Sequence, residues 1–187
     1  SSKVEQAARQ MDIPLIIEDI SKVHLEMLKK LHYGYGKNMN PCIDCHAMMF
    51  RLAGEIMAER GFDFLFSGEV LGQRPMSQNG DALRSVANYS GQPGLILRPM
   101  SAKLLPITPV EEQGLVDREQ LLDIQGRSCR PQGALAKEWN LIDYPSSGGG
   151  CLLTEIHFSD RLRDLFSHQP DCSVEDVELL KIGRQFR

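Results

Sequence analysis

The sequence predicts an α/β fold. A parallel sheet layered with helices runs to about residue 100, and a small, irregular, mostly helical part follows. Two observations carry this. A helical pattern followed by a short apolar run occurs twice, as 3–11 then IPLIIED (13–19), and from Cys42 then FDFLFSG (62–68). Helix-then-strand repetition is the rhythm of parallel sheets. Beyond residue 98 the texture changes, with prolines at 99, 106 and 109 breaking the chain.

Each element has its own signal. Val4, Ala7, Ala8 and Met11 share one helical face. Residues 13–19 are short, isoleucine-rich and bounded by polar residues, so a buried strand is expected. Leu25, Leu28 and Leu31 repeat at helical spacing within 21–32, and YGYGKNMNP (33–41) is a loop by its glycines and closing proline. From Cys42, a stripe of Ile43, Ala47, Phe50 and Gly54 predicts a helix, with Gly61 as its stop. Strand 62–68, a helix over 82–89 and a strand over 95–97 follow. In the second part, 101–187, Asp117 to Gln120 reads as a capping box opening a helix to Ile124. A helix is expected over 132–139, with Trp139 in the core. SSGGG (146–150) is a loop ending on Cys151, and Ser159 and Ser173 are expected N-caps of two last helices.

The 187 residues suffice for one sizeable core. No apolar run is long enough to span a bilayer, and the polar start lacks a signal-peptide layout, so a cytoplasmic protein without membrane partners is expected. Net charge is −4, and acidic and basic residues do not segregate: 1–96 carries 10 Lys/Arg and 11 Asp/Glu, 97–187 carries 11 and 14. That argues against nucleic-acid binding by overall field, while leaving local patches open.

Five cysteines, widely spaced, are not a disulfide framework. Cys42 and Cys45 sit on one face at the start of a helix, where the dipole favours thiolate. No second close pair supports a zinc ribbon. Cys151 follows three glycines, 106 residues after Cys45. Together the three could hold three corners of an iron–sulfur cluster, relay persulfide sulfur, or simply pack beneath the sheet. Cys129 and Cys172 lack partner spacing and read as structural. His46 reads as a helix-face histidine.

SGEVLGQRPMSQ (67–78) follows a strand, at the edge where parallel sheets bind phosphates or nucleotides. Neither GxxxxGK[ST] nor GxGxxG occurs. Arg98, Lys103, Arg127 and Arg130 are either phosphate-binding points or solvated charge.

PCIDCHAMMFRLA (41–53), FLFSGEVLGQRPMSQ (64–78), LRPMSAKLLP (97–106) and LIDYPSSGGGCLLTE (141–155) resemble, in that order, the PP-loop ATP-pyrophosphatases (adenine nucleotide alpha hydrolase-like) that thiolate tRNA. The likeness is to a branch similar to tRNA 2-thiouridylases and 4-thiouridine synthases. It implies a partial HUP-type, Rossmann-like sheet and a reaction in which ATP, with Mg, adenylates a uridine carbonyl and sulfur displaces the adenylate. It implies Cys42 and Cys151 as the sulfur-handling pair, Cys45 as a third ligand of a [4Fe-4S] cluster, and Ser67, Gly68 and Glu69 as nucleotide contacts. tRNA and a sulfur donor, either a protein persulfide or sulfide, are the implied partners. The family's SGGxDS-type loop is absent, so on this resemblance the chain begins at the family's second helix and ends before a further small domain. An open sheet edge would also invite a second copy. Two rivals are a PP-loop enzyme that activates another carbonyl and a non-catalytic metal or interaction module.

Overall fold

The computed structural model of the protein describes residues 2–141 and 151–182. It is an α/β fold: α1 (Ser2–Gln10), α2 (Ser21–Lys29), α3 (Cys42–Arg60), β1 (Leu65–Phe66), α4 (Gly80–Tyr89), β2 (Ile96–Leu97), α5 (Pro109–Glu112), α6 (Arg130–Glu138), α7 (Ile156–His168) and α8 (Val174–Leu179). Among the described residues the sheet has two strands, paired in parallel with Leu65 opposite Ile96 and Phe66 opposite Leu97. Helix α4 makes the crossover between them and packs on α3. The SSGGG loop lies outside the described residues.

Local chemistry accounts for the boundaries. Gly61 closes α3 in the left-handed conformation (φ 70°), where its N–H and that of Phe62 bond back to Ala58 and Met57. Asn79 caps α4 by accepting from the Ala82 N–H. Thr108 and Glu111 form a capping box around the single turn of α5, with Pro109 at its first position. Ser173 and Asp176 do the same for α8.

Several expectations are corrected. Residues 13–19 are not a buried strand: they run irregular and exposed, with Ile17 65% accessible. Apolar character alone does not make a strand, and among the described residues no neighbouring backbone pairs with 14–19. The strand expected over 62–68 is paired only at Leu65–Phe66, and Phe66 is 72% exposed. Asp117 caps a 3-10 turn, Arg118–Gln120, and not a helix to Ile124. The next residues turn back on 99–103, where Leu122 N–H bonds Pro99 O, Ile124 N–H bonds Met100 O and Lys103 N–H bonds Leu122 O. Ser159 lies inside α7, buried, and donates to Leu153 O, while Glu155 caps that helix by accepting from His157 and Phe158 N–H. Trp139 is the exposed C-cap of α6, outside the core.

The main core joins distant parts of the chain. Leu28 and Met39 pack with Leu153, Phe158, Leu162 and Leu180. This seats the segment after Cys151 against α2 and the loop before α3. A second cluster of Leu97, Ala102 and Leu121 closes over β2. Both clusters set the start of α3 beside Cys151 and the ends of β1 and β2.

Candidate functional site

The first turn of α3 is fixed from below by an aspartate. Asp44 is buried, and its carboxylate accepts from the His32 N–H at 2.7 Å and the Tyr33 N–H at 3.0 Å. An acidic side chain also suits a helix N-terminus. The loop in between folds on itself: Gly36 N–H bonds Asn40 O at 2.8 Å, and Gly34 takes φ 80°. Buried Asn40 accepts from the Cys42 thiol, Sγ to Oδ1 3.0 Å, so the sulfur has a defined position.

Cys42, Cys45 and Cys151 come together across the fold. Cys45 and Cys151 line one apolar cavity of about 400 Å³, walled by α2, α7 and α8. Cys42 lines a separate, smaller pocket with Tyr33 and Tyr35. Cys45 is half-buried and Cys151 exposed. Burial pushes the Cys45 thiol up to about 11, and the neighbouring Cys151, Cys42 and Asp44 push the same way. The thiolate expected from the helix dipole is therefore not what this site favours at Cys45, because desolvation outweighs the dipole. Among the described residues no three His, Cys, Asp or Glu side chains close around one point. The thiols interact, but their positions do not form a cage for a single ion.

At the carboxyl end of β1, Glu69 is buried and fully engaged. Its Oε1 lies 2.7 Å from His46 Nδ1, and its Oε2 accepts from Arg98 Nε at 2.9 Å and from Ser67 Oγ at 3.1 Å. Burial raises the carboxyl, but the His46 hydrogen bond and the Arg98 charge outweigh it and hold Glu69 below the usual glutamate range. A carboxylate only accepts, so His46 Nδ1 carries the proton in this contact. Arg98 also donates to Leu83 O, 3.2 Å away. It is thus a buried, paired cation and not solvated charge. Of the predicted strand-end trio, Gly68 is exposed, Ser67 half-buried and Glu69 buried.

In the loop that follows, Ser77 Oγ and Gln78 Oε1 are buried, and neither has a hydrogen-bond partner among the described residues. Lys103 Nζ donates to Glu119 O, while Arg127 and Arg130 are exposed. Cys129 is exposed and accepts from Gln73 Nε2 at 3.2 Å. Cys172 is buried, as a structural cysteine should be.

Sequence reasoning missed two features: the His46–Glu69–Arg98 network and the locked tyrosines before α3. The first had a usable signal. Glu69 and Arg98 each follow a short apolar run, and two neighbouring parallel strands bring such positions together. No protein-family model, curated protein or solved structure matches this chain.

Proposed function

We propose that this chain handles sulfur in the ATP-dependent thiolation of a tRNA uridine. The observation that carries the reading is the meeting of Cys42 and Cys45, at the first turn of α3, with Cys151 from 106 residues farther along the chain. Gathering three thiols at one helix turn has little use in a purely structural role, whereas sulfur transfer needs at least two within reach.

The residues divide the work by environment. Cys42, positioned by Asn40, carries the transferable sulfur as a persulfide made by a sulfane-sulfur donor. The terminal sulfur attacks the adenylated carbonyl carbon. The carbon–oxygen bond breaks, and AMP leaves with the electron pair. Exposed Cys151 then attacks Cys42 Sγ, the persulfide bond breaks, and its electron pair stays on the base sulfur. The resulting Cys42–Cys151 disulfide is reopened by a dithiol reductant. Cys45 stays protonated and reacts slowly.

A [4Fe-4S] cluster held by Cys42, Cys45 and Cys151 would instead supply an open iron to carry sulfide. Thiolates are the usual ligands of such clusters, so the donor types suit it, but among the described residues the positions do not, since no three such side chains close around one point. For ATP, exposed Gly68 offers backbone at the strand end. Both Glu69 oxygens are already engaged by His46, Ser67 and Arg98, so this carboxylate does not suit Mg.

The test is tRNA thiolation by the intact protein. Cys42→Ala and Cys151→Ala are expected to abolish it, with Cys45→Ala retaining activity under the persulfide route and losing it under the cluster route. Normal rates in Cys42→Ala and Cys151→Ala would remove sulfur handling and favour activation of a different carbonyl.

A further inference from the structure

Beyond Asn40 and Cys42, the small pocket on the Cys42 side is built from parts that the sulfur chemistry does not require. Tyr33, Tyr35, Gly36, Asn40, Cys42 and Met76 line it, and its volume is about 130 Å³. Both tyrosines are exposed, yet neither is loose. The Tyr33 ring packs edge-on against Tyr89 (5.5 Å between centroids) and against His32, which itself stacks on Tyr89 at 4.6 Å. Tyr35 Oη donates to Leu28 O at 2.6 Å. Asp44 holds the backbone of both His32 and Tyr33. Gly36 is closely packed: a Cβ there would stand 3.1 Å from Met76 Cε and 3.4 Å from Asn40 O.

Exposed aromatic rings normally cost a soluble protein, and holding them rigid costs side-chain entropy as well. Such rings make a stacking platform for an unstacked base, the recognition mode of single-stranded RNA. Size narrows the choice. An apolar protein cavity of about 150 Å³ accepts a single benzene ring, so this pocket suits one six-membered ring and is cramped for a fused purine. Asn40 adds an amide that can read the edge of a base. Charge agrees: Lys37 is exposed in the same loop, and Arg163 lies close enough to Tyr35 to act on its hydroxyl.

We propose that the loop 33–41 and the start of α3 form a receptor for one unstacked pyrimidine of single-stranded RNA, stacked on Tyr33 and Tyr35 beside Cys42. That this base is the one receiving sulfur rests on the function proposed above. The pocket's preference for a pyrimidine does not.

The probe is a fluorescein-labelled oligouridine, with oligoadenosine of equal length as control, titrated against the chain by anisotropy. Loss of one stacking ring, in Tyr33→Ala or Tyr35→Ala, is expected to weaken oligouridine binding by about five- to a hundredfold, with Tyr33→Phe near wild type. Met76→Trp, at an exposed position, fills the pocket while sparing both rings, and is expected to weaken binding comparably. Oligoadenosine is expected to bind more weakly than oligouridine. An oligouridine carrying one 5-iodouridine should photocrosslink to the peptide containing Tyr33, Tyr35 and Cys42. No binding, equal binding by the Tyr33→Ala, Tyr35→Ala and Met76→Trp proteins, or crosslinks mapped elsewhere would overturn the receptor. Crosslinking here with normal thiolation in Cys42→Ala would retain the receptor and refute the sulfur role. The converse pattern would do the opposite.

Discussion

Glu69 and Arg98 form a buried ion pair across the ends of the two parallel strands, Oε2 accepting from Nε at 2.9 Å. The pair ties the loop after β1 to the residue that follows β2, and through Oε1 it also orients His46 on α3. Removing one partner leaves a charge in a dry site. Glu69→Leu is expected to destabilise the fold by about 3–5 kcal/mol in denaturant unfolding, and Glu69→Leu with Arg98→Met to recover most of that loss. A double variant as unstable as the single one would mean that the network stabilises through geometry and not charge.

The same carboxylate sets an acid limit. Glu69 titrates below its ordinary 4.5 in the folded protein. A lowered folded value means that its stabilisation is fully present above the unfolded value and lost as pH falls through the folded one. Wild-type stability should therefore fall more steeply below pH 4.5 than that of Glu69→Leu. Parallel curves from thermal melts across that range would contradict the assignment.

Thiol reactivity should rank by burial. Cys45 is held up to about 11 from an ordinary 9.0, so near neutral pH its thiolate fraction is about a hundredfold below that of an ordinary thiol. Iodoacetamide mapping by mass spectrometry should modify exposed Cys129 and Cys151 first at pH 8. Cys45 should label appreciably only toward pH 10 or above. Early labelling of Cys45 would indicate that the helix dipole prevails over burial after all.

Gly61 provides a backbone test. Its φ of 70° closes α3, and a Cβ there would meet nothing within 4 Å. The cost of Gly61→Ala is thus conformational strain alone, expected at about 1 kcal/mol by chemical denaturation. A neutral result would mean that the helix end relaxes to another conformation.

What was legible in the sequence had local causes. Helical spacing marked α2 and α3, Gly61 marked the end of α3, and Ser173 marked the start of α8. These depend on neighbours within one turn. The parallel pairing of the 65–66 and 96–97 segments was also readable, because a helix separates two short apolar runs. Residues 13–19 misled because their isoleucines carry the composition of a strand, while strand formation needs a neighbouring backbone. Ser159 misled because a capping residue and a buried helical serine look alike in sequence, and Leu153 O decided between them.

By itself the sequence determined where the candidate residues stand: Cys42 and Cys45 spaced for one helix face, Cys151 after a glycine run, and Glu69 beyond a strand. Tertiary structure alone decided their states. Packing Leu28 and Met39 against Leu153 and Phe158 carries Cys151 to Cys45 and buries the latter, which reverses the charge expected from its place on the helix. Strand pairing turned Glu69 inward to Arg98 and His46. Side-chain identity is local, whereas desolvation and ion pairing depend on what the rest of the chain brings within a few ångströms.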